Sequence, residues 1–357
     1  MKPISVIAIF IISLLIIASI ANTIMIVKAL DSKVYDHYKQ VYTIIETTIV
    51  KNEGSTNVSV INTLGSALPY PQNDPFQKLL SYKTYINGRN VNISIYKELN
   101  GLITIAELTQ DIMLAPGEEA NITVVYKVML NVNRTIPRDT LLKFMLSGWD
   151  SIHKFSTPKI LTEPTSLWNY NNPLISMLAE YLRSKSRTPS EYIFNCIEWI
   201  MKKVVYETRI PPRHPIELLI EFKGDCDDQA NLLITLLRYA GIPTIIEQGL
   251  VIMKNVVVKG TAANGYLQYY LINAGPHGWV KAQIGDNTWI AIDMTFPYMT
   301  NKPIDKILLA AYYTFPVVVT YRTYKEDYVS EGTAMLQDIE ERRVMVIYSV
   351  NVTFKTG

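Results

Sequence analysis

With 357 residues, 48% of them hydrophobic and 18% charged, the chain can bury a large core and has the length of two domains. A net charge of +2, with no clustered Lys/Arg stripe, argues against a nucleic-acid partner. Its two cysteines, Cys196 and Cys226, make no disulfide scaffold, and four scattered histidines (His37, His153, His214, His277) match no metal-ligand spacing. No glycine-rich phosphate loop is present either, so neither a cofactor nor a metal is expected.

Residues 4–27 carry no charge and are long enough to cross a bilayer. Ser19-Ile20-Ala21 resembles a signal-peptide cleavage site, but the apolar run continues through Val27, so residues 1–30 read as an uncleaved anchor. Lys2 precedes the span while Lys28, Lys33 and Lys39 follow it, so the positive-inside rule does not fix the orientation. Five glycosylation sequons follow the span, at Asn57, Asn92, Asn121, Asn133 and Asn351. The expectation is a single-pass protein of the cell membrane with its body outside the cytoplasm.

After a polar stalk the pattern is short strands and tight turns. VYTIIETTIV is rich in β-branched residues, and Asn87-Gly88 and Asn100-Gly101 each separate strand-like runs. Pro116-Gly117 turns the chain into ITVVYKVMLNV. Residues 31–155 are therefore expected to form a β-sandwich, and the Pro/Thr/Ser/Asn-rich stretch 156–172 a linker. Asn172-Pro173 opens a helix with Leu174, Met177, Leu178 and Tyr181 on one face. Thr188-Pro189-Ser190-Glu191 is a capping box, and the helix it starts stripes Ile193, Cys196, Ile197, Ile200 and Val204 toward a core. Cys196 is thus a core residue, with a disulfide to Cys226 as the other reading. Beyond residue 243 the chain reads strand, turn, strand, hairpin, strand, and residues 301–357 form a β-rich extension.

GDCDDQANLLITLLRYAGIP, from Gly224 to Pro243, is a helix with a candidate nucleophile at its start. Leu232, Leu233, Leu236, Leu237 and Ala240 keep the spacing of a buried face, and Gly241 and Pro243 stop it. Asp225 can cap the first turn, which places Cys226 at the positive end of the helix dipole. Asp227 and Asp228 oppose a thiolate by like-charge repulsion, so a basic partner is needed. His277, at the start of a strand, and Asp293, near the end of the next, supply a base and a carboxylate to orient it.

These motifs resemble the transglutaminase-like superfamily: Gly224-Asp225-Cys226-Asp227-Asp228, then LLRYAGIP, then His277-Gly278-Trp279-Val280, then Trp289 and Asp293 in WIAIDMT. The resemblance covers roughly residues 170–300. It implies a papain-like core at 173–300 with helices packed on an antiparallel sheet, and with the transmembrane helix and β-sandwich read above the whole chain is expected to have an α+β architecture. The resemblance implies Cys226 as nucleophile, His277 as general base and acid, and Asp293 as the group that orients His277. Trp279 is a candidate for substrate contact. The expected chemistry is cleavage of peptide or amide bonds in a protein or peptide substrate at the cell surface. The alternatives are a protein cross-linking transglutaminase and a non-catalytic surface scaffold.

Strand parity adds a condition. His277, Trp279 and Lys281 share one face of their strand, and Asp293 has to emerge on that same face. A two-residue hairpin at Asp286-Asn287 would set Val280 opposite Asp293, on the wrong face. A slip of one residue, most simply a three-residue loop Gly285-Asp286-Asn287 with a bulge, sets Trp279 opposite Asp293 instead.

Overall fold

The computed structural model describes residues 39–131, 143–155, 157–285, 288–295 and 316–354. By compactness the chain divides after Tyr38, and every described residue belongs to the unit Lys39–Gly357. The expected membrane span at 4–27, the stalk, Asn133 and the Asp286-Asn287 loop all lie outside the described residues. Among the described residues no helix is long and apolar enough to cross a membrane.

The first half is built from strands β1 (Lys39–Asn52), β2 (Val58–Ser59), β3 (Ala67–Leu68), β4 (Gln77–Ile86), β5 (Arg89–Val91), β6 (Ile93–Glu98), β7 (Ile103–Leu108), β8 (Met113–Leu114) and β9 (Glu119–Asn131). A single helical turn, α1 (Val60–Leu64), interrupts them. Asn87 and Gly88 both take positive φ (49° and 76°), the geometry a two-residue turn between β4 and β5 requires. Asn100-Gly101 turns the chain from β6 to β7 in the same conformation.

Helices α2 (Pro173–Ser184), α3 (Pro189–Lys203), α4 (Pro215–Glu221) and α5 (Cys226–Tyr239) follow. Thr188 caps α3 through its hydroxyl, and Gly241 ends α5 at φ 75°, so the start and stop signals act where the sequence sets them. Every residue from Asp228 to Arg238 is buried, which makes α5 the axis of the helical core. Around it pack Ile193, Cys196, Ile197 and Ile200 of α3, together with Ile246, Val280, Ala282 and Ile292 from the sheet. The face of α2 is a correction. Ile175, Ala179 and Leu182 are buried, while Leu174, Met177 and Tyr181 point outward; the helix carries two apolar stripes, and its period alone cannot choose between them.

The stretch expected as a linker is also corrected. Leu161, Leu167 and Trp168 are fully buried. The Trp168 indole donates to Asn231 Oδ1 at 3.0 Å, and the Arg238 guanidinium stacks on its ring. Burying three large apolar side chains outweighs the flexibility that the flanking Pro, Ser and Thr suggest.

The second half adds β10 (Thr244–Ala262), β11 (Leu267–Gly285), β12 (Thr288–Ile292), β13 (Val317–Thr323), α6 (Tyr328–Glu341) and β14 (Val344–Phe354). One mixed sheet runs in the order β13-β10-β11-β14-β1-β9-β4-β5, with β12 on the free half of β11. The long β11 is the joint. Its first half pairs in parallel with β14, and its second half pairs antiparallel with β12. The expected sandwich is thus not closed on itself: β1 lies between β9 and the last strand of the chain. Nor is the sheet wholly antiparallel. Continuous hydrogen bonding across the sheet leaves these edges fewer orphan backbone groups than two separate sheets would.

Candidate active site

Gly224 brings the chain into α5 at close quarters: an added Cβ there would stand 2.4 Å from Leu218 Cδ1 and 2.8 Å from Asp228 Cβ. Asp225 is the N-cap, and its own N–H donates to Asp228 Oδ2 at 3.1 Å, so the acids of the first turn satisfy backbone donors. Cys226 is the first helical residue, partly exposed. The turn sits directly on β11. A Cβ on Gly278 would lie 3.1 Å from Asp227 Cβ, and the Gly278 N–H hydrogen-bonds the Cys226 sulfur.

On β11, His277 is nearly buried, and its Nε2 meets Asp293 Oδ2 at 2.6 Å. The ladder gives the reason. Val280 pairs with Ile292 and Gln283 with Trp289, and continuing that register puts Asp293 level with Trp279, on the face of His277. The slip comes from an extra residue at Ile284, between Gln283 and Gly285, rather than from the loop itself. Ile284 packs with Val280 and Ala282 into the helical core, so the bulge keeps an apolar side chain buried while it corrects the register.

Electrostatics divide the site in two. Burial, followed by the Asp227 and Asp225 charges, pushes the Cys226 thiol well up; the Gly278 N–H works the other way. Burial and the hydrogen bond to Asp225 likewise push Asp227 well above the usual carboxylate range. Asp228 rises to about 6 by burial, against the backbone and side-chain bonds of Arg213. Asp293 goes down. Burial alone would raise it, but the charge and hydrogen bond of His277, with two bonds from Thr295, outweigh that. The site therefore sets a thiol and acids that are pushed up opposite a carboxylate that is pushed down and hydrogen-bonded to the imidazole.

Three contributors escape sequence reasoning. Thr295 donates to Asp293 Oδ1 through both its N–H (2.9 Å) and its hydroxyl (2.8 Å); the signal is the Asp-x-Thr spacing of an Asx-type turn. Arg213 offsets the acids of the first turn, with Nη1 3.0 Å from Asp228 Oδ2. Nothing local marks it. The third is Glu247, which accepts from the Trp279 indole at 2.8 Å. Trp279 is only 1% exposed, so it does not face a substrate and its expected role is corrected: it packs beside the His277 ring, centroids 5.4 Å apart. The donor atoms of Asp225, Cys226 and Asp227 lie within 4.8 Å of one another, close enough together to hold an ion.

Residues 176–294 match the family profile described as the Transglutaminase-like superfamily. Among solved structures, a proposed cysteine protease from Cytophaga hutchinsonii shares the fold, with a TM-score of 0.52 at 14% identity over 90% of this chain and 92% of that one. The periplasmic domain of TgpA from Pseudomonas aeruginosa is more distant, with a TM-score of 0.33 at 12% identity over 73% of this chain and 89% of its own. LapG from Legionella pneumophila gives 0.27 at 16% identity over 55% and 99%. No curated protein matches the chain.

Proposed function

Residues 176–294 being a transglutaminase-like domain, we propose that Cys226, His277 and Asp293 form a catalytic triad that cleaves peptide or amide bonds through an acyl-enzyme. The observation that carries this reading is the junction of α5 with β11. The residue after His277 touches the residue after Cys226, while His277 is paired to Asp293 at 2.6 Å.

With Nε2 engaged by Asp293, the nitrogen left to act on the thiol is Nδ1. As the substrate carbonyl is attacked, the S–C bond forms and the thiol proton passes to His277. Asp293 holds the resulting imidazolium in place. The carbonyl oxygen gains negative charge at the N-terminus of α5, where the Cys226 N–H is the donor at hand. His277 then gives its proton to the leaving amine as the C–N bond breaks, which leaves a thioester. Water, deprotonated by His277, releases the acid and restores the thiol.

The substrate on this reading is a protein or peptide at the cell surface, reached from an anchor at residues 4–27. The exposed sequon asparagines Asn57, Asn92, Asn121 and Asn351 support that placement. The chemistry is tested by incubating the protein with a mixed peptide pool and a labelled primary amine, then reading products by mass. Shortened peptides, absent with Cys226→Ala, are expected. Amine-bearing glutamines would make the protein a cross-linker, and no Cys226-dependent product would leave the scaffold reading. The placement is tested by protease added to intact cells, which should remove everything beyond about residue 40; protection of the body would reverse it.

A further inference from the structure

Beside His277 and Trp279, on the same face of the sheet, lies a buried cluster of four charges drawn from distant parts of the chain. Glu247 of β10 accepts from Lys281 Nζ at 2.8 Å and from Arg322 Nε and Nη2 at 2.8 and 2.6 Å, in addition to the Trp279 indole. Asp74, from the segment before β4, meets Lys281 Nζ at 3.2 Å and Arg322 Nη2 at 3.1 Å. Arg322, of β13, also donates to the carbonyls of Asn73 and Leu102 at 2.8 Å each. All four side chains are buried. Stability alone does not account for such a cluster, because well-packed apolar residues of similar volume are often as good or better. What it achieves is definition. A carboxylate held by two cations cannot swing, so the indole it receives is fixed in plane and azimuth. That indole lies 5.4 Å from the imidazole at a tilt of 31°, and so forms a wall along the ring on which the proposed chemistry depends.

We propose that Trp279 and Glu247 are positioning residues for His277, and that Asp74 steadies them, making the strand region before the transglutaminase-like domain part of the working site. The proposal rests on His277 serving Cys226 as its base. If the wall is loosened, the imidazole spends less time in register with Asp293 and takes the thiol proton less readily.

The test compares Trp279→Phe and Asp74→Asn with Val319→Ala, a truncation in the same apolar cluster as Trp279. Iodoacetamide alkylation of Cys226 is followed across pH, beside thermal unfolding and the ring ¹⁵N resonances of His277. Trp279→Phe should slow alkylation near neutral pH about tenfold and move its pH profile upward, with altered His277 ring resonances. Asp74→Asn should do the same to a smaller degree. Val319→Ala should lower the unfolding temperature and leave profile and resonances in place. Wild-type profile and resonances in both Trp279→Phe and Asp74→Asn would overturn the proposal, even with unfolding temperatures reduced. The resonances decide it independently: if wild-type Cys226 reacts no faster than the unfolded chain, the catalytic reading fails, while altered ring resonances still uphold the positioning role. Should Trp279→Phe not fold, Asp74→Asn alone decides between these results.

Discussion

Gly278 is where the helix bearing the proposed nucleophile meets the strand bearing the proposed base, and the size of its side chain should set the rate of Cys226 chemistry. A Cβ there would stand 3.1 Å from Asp227 Cβ, 3.6 Å from Asp227 Cα and 3.6 Å from Gln248 Cγ. Carbon atoms rest at roughly 3.5–4.0 Å, so alanine requires the first turn of α5 to move by about half an ångström. That shift carries Cys226 with it, and the hydrogen bond from the Gly278 N–H to the sulfur lengthens. Valine adds two methyls in the same space and demands a displacement of roughly an ångström, which costs on the order of 10²-fold in rate. Overpacking costs about 1–3 kcal/mol of stability. The assay is Cys226 alkylation at fixed pH with parallel thermal unfolding. Gly278→Ala should react about tenfold more slowly and Gly278→Val about 10²-fold, with unfolding temperature falling in the same order. Wild-type rates in the valine protein, at any unfolding temperature, would refute the view that this contact sets the site.

The two cysteines should part company in the same labelling experiment. Cys196 is fully enclosed and its thiol is pushed up by burial, so Cys196→Ala should leave labelling intact while Cys226→Ala abolishes it; equal labelling of both would count against the assignment. Asp293→Asn should cut turnover on the order of 10²–10⁴-fold with little change in substrate affinity, measured as kcat and KM. Its stability effect has a definite sign. The Asp293 carboxyl is held below its ordinary 3.8, so its contribution is fully present above that value and lost as pH falls through the lower folded one. The Asn variant's deficit in unfolding temperature should therefore shrink in acid below about pH 4, and a deficit that grows there would contradict the assignment. Glu46, buried in the sheet with the phenols of Tyr126 and Tyr348 donating to it, goes the opposite way. Burial raises its carboxyl above 4.5, against those two bonds, so its contribution is greatest below the unfolded value and is lost as pH rises through the folded one. Glu46→Gln should unfold at a higher temperature than wild type near pH 8 and lose that advantage near pH 4; the reverse order would show that the phenols outweigh burial.

What the sequence made legible here was local or periodic. The stripe of α3, the cap and stop of α5 and the two Asn-Gly turns depend on residues a few positions apart, and the structure has them at the same places. The register of Asp293 followed from parity once Asp293 was required to reach His277, because a single slip inverts every side chain on a strand. Where the extra residue would sit did not follow. A bulge at Ile284 and a longer loop satisfy parity equally, and only the apolar pocket made by Val280, Ala282 and the helices selects the first. The outward face of α2 failed for a related reason: Leu174, Met177 and Tyr181 repeat as well as Ile175, Ala179 and Leu182 do, and tertiary packing decides.

The partners that support the site were illegible for a different reason, which is separation along the chain. Asp74, Glu247, Lys281 and Arg322 are each unremarkable in their own stretch, and no spacing rule joins an acid before β4 to an arginine on β13. The same separation misled the division into modules. Composition changes sharply between the strand-rich first half and the helices, yet hydrogen bonds ignore that change: β1 is paired along eleven residues with the final strand, and that strand with the first half of β11. The second half of β11 carries His277 and Trp279. A strand that pairs with β14 at one end and with β12 at the other transmits register directly, since sliding it would break pairs at both ends. On the positioning proposal the imidazole is steadied by the buried charges and along its own strand by the pairing of β11 with β14, and Asp74, Arg322 and β1 contribute to this from outside residues 176–294.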